Sequence, residues 1–292
     1  MTDRFDFQSV VSDERQVAIC ERLSWIESEE GVRVLFAVES GSRAWGFPSP
    51  DSDYDVRFVY LRPVRSYLRL TPQPDVIEVP IADDLDIAGW DLRKALALLV
   101  KPNAVLLEWL SSPIRYRWQP DIGAALIDLA RRTLHVPACR HHYLRLAARQ
   151  WDEHIAERTE VGRKKYFYVL RPALALRWLR LKPEAPPPMA LSDLCAGAAL
   201  PAHVASAIDL LVRQKREVRE LGLGPRLAVL DELIEAEIVF AQTQLDPSVV
   251  DPVVLADAEA LFAELALAQV RPVPSRHEWV AAAGRVDGEV QT

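Results

Sequence analysis

ESGSRAWGFPSPDSDYDVRFVYL, Glu39–Leu61, sets a Gly-Ser pair before a loop that runs into Asp-x-Asp at the mouth of an apolar run. Side chains alternate along a strand, so Asp53 and Asp55 share a face about 7 Å apart, while Tyr54 and Val56 point the other way, into a core. Two carboxylates held on one face repel unless a cation sits with them. Their hard oxygens suit Mg²⁺ or Mn²⁺ and not zinc. Such a cation can clamp the attacking and leaving oxygens of an in-line phosphoryl or nucleotidyl displacement.

The Gly-Ser pair supplies the other half. Gly41 follows the strand-like run VRVLFAV and lets backbone approach a triphosphate closely, while Ser42 offers a hydroxyl and an N–H. The next residues, RAWG, can open a short helix whose first amides favour an anion, and Arg43 is a charge partner for the outer phosphates. A third carboxylate is needed to accept a proton or complete a second metal site. Asp86 is the best placed, because it alternates with Leu85 and Ile87 on the polar face of a strand. Glu78 competes with it, Asp83 and Asp84 read as a turn, and Glu39 reads as a supporting residue behind the pair. The structural alternative makes Gly41 a turn and leaves Asp53 and Asp55 as solvated strand-edge residues.

Outward from this stretch, ERQVAICERLSWIESEEG has helical spacing and ends on Gly31, a C-terminal cap. DYDVRFVYL is a second strand, and DVIEVPIADDLDIAGW a hairpin about Asp83-Asp84. From Asp91, an N-cap, the pattern turns helical, with further helices over 119–134, 137–160, 163–181, 202–220, 225–245 and 252–268. The expectation is an α/β domain with a small mixed sheet over 1–115, an all-α helical domain over 116–270, and a partly unstructured tail over 271–292. KPEAPPPMA is a stiff connector between helices.

At 292 residues, half of them hydrophobic, the chain can bury a sizeable core. The start lacks a signal-peptide pattern and no apolar run is long enough to span a bilayer. Three scattered cysteines suggest a reducing cytoplasm and give neither a zinc site nor a disulfide frame. Four histidines, His135, His141, His142 and His154, lack ligand spacing, and no dinucleotide or P-loop glycine pattern occurs. The net charge of −7 divides into −6 over residues 1–115, +8 over 116–216 and −9 over 217–292. A basic middle can face a polyanion, although helix surfaces also vary in charge without function.

The Gly-Ser, Asp-x-Asp and later-Asp layout resembles the DNA polymerase β nucleotidyltransferase superfamily. Within it, ESGSRAWGFPSPDSDYDVRFVY, DIAGWDLRKALALLVKPNAVLLEWLSSPIRY and KKYFYVLRPALALRW are similar to the YcgL-like predicted nucleotidyltransferases, an RNA-repair-pathway branch. The likeness covers about residues 32–240. It implies a polymerase β-like fold, with Gly41 and Ser42 as the triphosphate loop, Asp53 and Asp55 as metal ligands and Asp86 as the third carboxylate. In GRKKYFYVLRPALALRWLRL, Lys164, Tyr168 and Arg171 share one helical face and Phe167, Leu170 and Leu174 another, with Pro172 expected to end or kink the helix. Lys164, Lys165 and Arg171 can hold phosphates while Tyr168 supports the base; a packed helix with a basic rim is the competing reading. Of the tryptophans beside these motifs, Trp45 is best placed to border a nucleotide.

The expected activity is transfer of a nucleoside monophosphate from a nucleoside triphosphate to an RNA 3′ end, with Mg²⁺ or Mn²⁺ as cofactor. A protein hydroxyl, as in adenylylation of a partner protein, or a small molecule is the alternative acceptor. Outside enzymes, a nucleotide or RNA sensor is the competing class.

Overall fold

The computed structural model describes residues 7, 10–101, 103–132, 136–217, 222–244 and 251–268. In chain order the first half runs α1 (Asp13–Glu30), β1 (Arg33–Glu39), α2 (Ser42–Trp45), β2 (Tyr54–Leu61), α3 (Val64–Tyr67), β3 (Val76–Glu78), β4 (Leu85–Asp91), α4 (Leu92–Val100), α5 (Ala104–Leu110) and β5 (Arg115–Trp118). There follow α6 (Pro120–Arg132), α7 (Val136–His154), β6 (Glu160–Gly162), α8 (Arg163–Leu181), α9 (Leu191–Gly197), α10 (Ala202–Glu217), β7 (Leu223–Pro225), α11 (Ala228–Gln242) and α12 (Pro252–Leu267). The expected tail over 271–292 lies outside the described residues, as does His135.

Local chemistry sets the ends of these elements. Ser12 caps α1 by accepting from the Arg15 N–H, and Gly31 closes it in the left-handed region at φ 59°. Asp91 caps α4 through the Arg93 N–H. Asp83 and Asp84 turn the β3–β4 hairpin with positive φ of 51° and 60°, which aspartate tolerates better than most side chains.

The sheet has the order β3-β4-β2-β1-β5, with β2 parallel to β4 and every other pair antiparallel. A bulge between Val34 and Phe36 breaks the alternation of β1. Val34 and Ala37 therefore face α1, whereas Leu35, Phe36 and Val38 face the helices of the second half. Residues expected to begin the helical half instead form β5: Tyr116 enters the core beneath α1, and Trp118 packs on Phe36 at 5.4 Å. The strand straddles the expected boundary at residue 115, and the larger core runs unbroken from the sheet into α7, α8, α10 and α11. Burial on nearly every side holds α8 helical through Pro172, where the sequence suggests an end or a kink. Among the described residues no helix is long and apolar enough to cross a membrane.

Candidate active site

The parallel pairing of β2 with β4 sets Asp55 opposite Asp86 in register. Val56 and Ile87, one residue on, are buried in the core beneath α1, so the two carboxylates project from the other face, toward the helices. Asp53 stands exposed in the loop just before β2.

Gly41 explains the tightness of this corner. A Cβ built there would lie 1.6 Å from Asp55 Oδ2, so the carboxylate occupies the space any other side chain would need. The Ser40 N–H donates to the Asp55 carbonyl at 2.9 Å, and the Asp55 N–H donates to Glu39 Oε1 at 2.9 Å. Ser42, first residue of α2, makes no side-chain hydrogen bond to any described residue. At the far end of that turn Gly46 takes φ 88°, a left-handed value that reverses the chain toward Phe47.

Charge at this edge is only partly matched. Arg57 Nη2 reaches Asp86 Oδ2 at 2.7 Å and Asp55 Oδ1 at 3.4 Å, and Nη1 donates to the Asp86 carbonyl at 2.8 Å. Burial raises the Asp55 pKa; Arg57 opposes the shift, and the charges of Asp86 and Asp53 add to it. Glu39 behind it is fully buried and accepts from the Tyr116 hydroxyl as well as from the Asp55 N–H. Desolvation lifts Glu39 to about 7 despite those two hydrogen bonds.

Among the described residues, no three His, Cys, Asp or Glu side chains are grouped as a metal cage. Asp53 and Asp55 fit a hard divalent cation by donor chemistry, and the burial that raises the Asp55 pKa is a cost that a cation would offset. Arg57 engages Oδ2 of Asp86, which leaves Oδ1 as the atom that could serve as a further ligand.

The basic helix divides between two places. Lys165, Tyr168 and Arg171 line a cavity of about 440 Å³ with Trp45, Gln150 and His154. Trp45 meets Tyr168 edge-on at 6.3 Å, and its indole Nε1 is buried without a partner among the described residues. Arg171 is itself buried: it pairs with Glu108 at 3.2 Å, donates to the Met189 carbonyl and lies over the Trp45 ring. Lys164 is exposed and does not line that cavity. Arg43, expected on the outer phosphates, donates to the Ser52 carbonyl at 2.7 Å and the Val10 carbonyl at 3.3 Å, and it covers the Tyr54 ring. In this arrangement it braces the loop before Asp53.

A family model described as the RNA repair pathway DNA polymerase beta family matches residues 16–263, from α1 into α12. The chain belongs to that family. Its curated relatives include the uncharacterized protein YcgL of Bacillus subtilis (strain 168), 43% identical over 220 residues, or 75% of this chain and 84% of the relative. Membership of a polymerase β family suggests nucleotidyl transfer, and such enzymes usually use divalent metals. Two residues of this edge escape the motif. Arg57 sits two positions past Asp55 in the same strand, so period-two alternation was the available signal for it. Lys215, buried on α10, carries no such signal.

Proposed function

We propose that the chain moves a nucleoside monophosphate from a nucleoside triphosphate to the 3′ hydroxyl of an RNA. The observation that carries this reading is the Gly41 corner: backbone without a side chain against Asp55, with Asp86 in register beside it and Asp53 at the mouth. The +8 balance of residues 116–216 supports a polyanionic acceptor, and three free cysteines support a cytoplasmic setting.

In this reading Asp53 and Asp55 would hold Mg²⁺ or Mn²⁺, with Asp86 as the third carboxylate. When bound, the ion supplies charge neutralisation at the α-phosphate and at the attacking and leaving oxygens. The Gly41–Ser42 backbone and the Ser42 hydroxyl face the phosphates. The acceptor oxygen forms its bond to the α-phosphorus as the bond to pyrophosphate breaks, and the hydroxyl proton passes to a carboxylate of this edge, for which Asp86 is placed. Arg57 orients Asp86 and Asp55 through its shared guanidinium. Trp45, Tyr168 and Lys165 form the wall against which base and sugar rest, and Arg171 holds that wall by stacking on Trp45. Arg43 acts one step back, by fixing the Ser52 carbonyl.

The test is incorporation of labelled ATP, CTP, GTP or UTP, one at a time, on a short RNA with Mg²⁺ or Mn²⁺, beside a reaction without RNA. Label on RNA that disappears in Asp53→Ala/Asp55→Ala supports the reading and names the preferred base. Label on protein instead replaces the RNA acceptor with a protein hydroxyl, and label retained by the double variant overturns the mechanism.

A further inference from the structure

Asp53 differs from the other two carboxylates of the candidate site in what fixes it. Asp55 and Asp86 stand inside paired strands and share Arg57. Asp53 precedes β2, and its side chain makes no hydrogen bond or ion pair among the described residues. Its place is therefore set by the backbone on either side. On one side the Tyr54 N–H donates to the Asp84 carbonyl at 2.7 Å. On the other runs the loop 46–52, which belongs to no strand.

The last turn of α10 closes on that loop. Lys215, 3% exposed, donates to Ser49 Oγ at 2.7 Å, its hydrogen-bond partner among the described residues, and neighbouring Arg216 donates to the Gly46 carbonyl. Ser49 passes the hold on. Its N–H donates to Ser52 Oγ at 2.9 Å, the two hydroxyls lie 3.0 Å apart, and the Ser52 N–H donates to the Ser49 carbonyl at 3.0 Å. Arg43 holds the Ser52 carbonyl, and Asp53 follows at once. Burying an ammonium against one neutral hydroxyl costs more than the contact returns. A side chain kept there only for packing would be less costly without its charge. An ammonium donor does, however, make the bond to the loop about twice as strong as one between neutral groups.

We propose that Lys215 and Arg216 are positioning residues for Asp53: the end of α10 holds the loop 46–52 in the one arrangement that sets this carboxylate beside Asp55. Neither side chain touches substrate in this role. That Asp53 serves a divalent cation rests on the nucleotidyl-transfer reading; the hold on the loop does not.

Two measurements test it on the full chain and on Lys215→Met, Ser49→Ala, their combination and Arg216→Met. Amide hydrogen exchange should quicken by about tenfold or more over residues 46–54 in Lys215→Met and Ser49→Ala, since each removes the same charge-assisted bond. Mn²⁺ alone, titrated and followed by the loss of the free-ion spin resonance signal, should bind about threefold or more weakly in each. The combination should fall within about twofold of the worse single variant, because one bond is lost in all three. Arg216 is exposed, so its variant keeps the test decisive should Lys215→Met not fold, and it should weaken Mn²⁺ in the same direction. A lower thermal midpoint with loop exchange and Mn²⁺ affinity unchanged is a structural role alone and overturns the proposal. Weakening in Lys215→Met that Ser49→Ala does not reproduce also overturns it, and makes Lys215 a ligand contact. No Mn²⁺ binding by the wild type at millimolar Mn²⁺ overturns it as well. Latch-dependent Mn²⁺ binding by a chain that transfers no nucleotide keeps the positioning role and removes the transfer reading.

Discussion

Two charge clusters in this molecule are built on opposite principles. At Glu237 on α11, a carboxylate only 3% exposed takes Arg177 Nη1 at 2.7 Å and Arg180 Nη2 at 2.6 Å, and Arg177 spends its remaining donors on the Ala198 and Ala199 carbonyls. At the start of β2 and β4, Asp55 and Asp86 share one guanidinium, that of Arg57, Asp53 stands exposed beside them, and Lys215 meets only the Ser49 hydroxyl among the described residues. The first cluster is closed and ties α8 to α11. The second is left open, and that suits a ligand that brings a cation with it. Buried charge alone therefore marks nothing; unmatched buried charge does.

The sharpest way to break this contrast is to neutralise one group of each kind. Asp55→Asn should lower transfer by about a thousandfold or more, the scale of a lost electrostatic contact to a reacting centre. It should also raise the thermal midpoint by about 1–3 °C, because the ionised carboxylate is desolvated and repelled where it stands. Glu237→Ala should do the reverse. Stranding Arg177 and Arg180 costs about 3 kcal/mol and roughly 6–12 °C, with transfer per folded molecule within about twofold. A midpoint that falls in Asp55→Asn, or holds in Glu237→Ala, would erase the distinction.

Glu39 sharpens it through pH. Its pKa rises from 4.5 to about 7 on folding, so the native state binds the proton that the unfolded chain has released. Stability from this group is full below pH 4.5 and is lost as pH climbs through 7, by about 3 kcal/mol over that window. Denaturant unfolding at several pH values should show the decline in the wild type, and Glu39→Gln should flatten it. The smallest effect concerns salt. Three or four phosphate contacts on the basic segment should cost single-stranded RNA roughly tenfold or more in affinity between 50 and 200 mM salt. Binding indifferent to salt would instead favour a small neutral acceptor.

Much of this was legible in the sequence, for reasons that can be named. The long helices declared themselves by 3.6-residue periodicity and caps, and six expected ranges match α6, α7, α8, α10, α11 and α12 within a few residues at most ends. Asp55 and Asp86 could be placed because period-two alternation sets them against the buried Val56 and Ile87, whereas Gly41 was placed only by its position after the apolar run of β1. What stayed hidden depends on distant pairing. The four residues of β5 pair with β1 some eighty positions earlier, and too few of them exist for alternation to show. Lys215 lies in LVRQKRE, which reads as a solvated basic helix end, and its contact with Ser49, 166 residues away, is beyond local pattern. Arg43 carried a phosphate-binding expectation, but the Tyr54 ring and the Ser52 carbonyl draw it off.

One measurement reaches the central claim, that the open carboxylate corner serves nucleotidyl transfer. The chain would be incubated with a short RNA and ATP labelled at either the α- or the γ-phosphorus, with Mg²⁺, beside Asp53→Ala/Asp55→Ala. The expected result is α-label on the RNA, γ-label released as pyrophosphate, and neither product in the double variant. γ-Label on the RNA would mean phosphoryl transfer, and α-label persisting in the double variant would place the chemistry away from these carboxylates; either would contradict the claim.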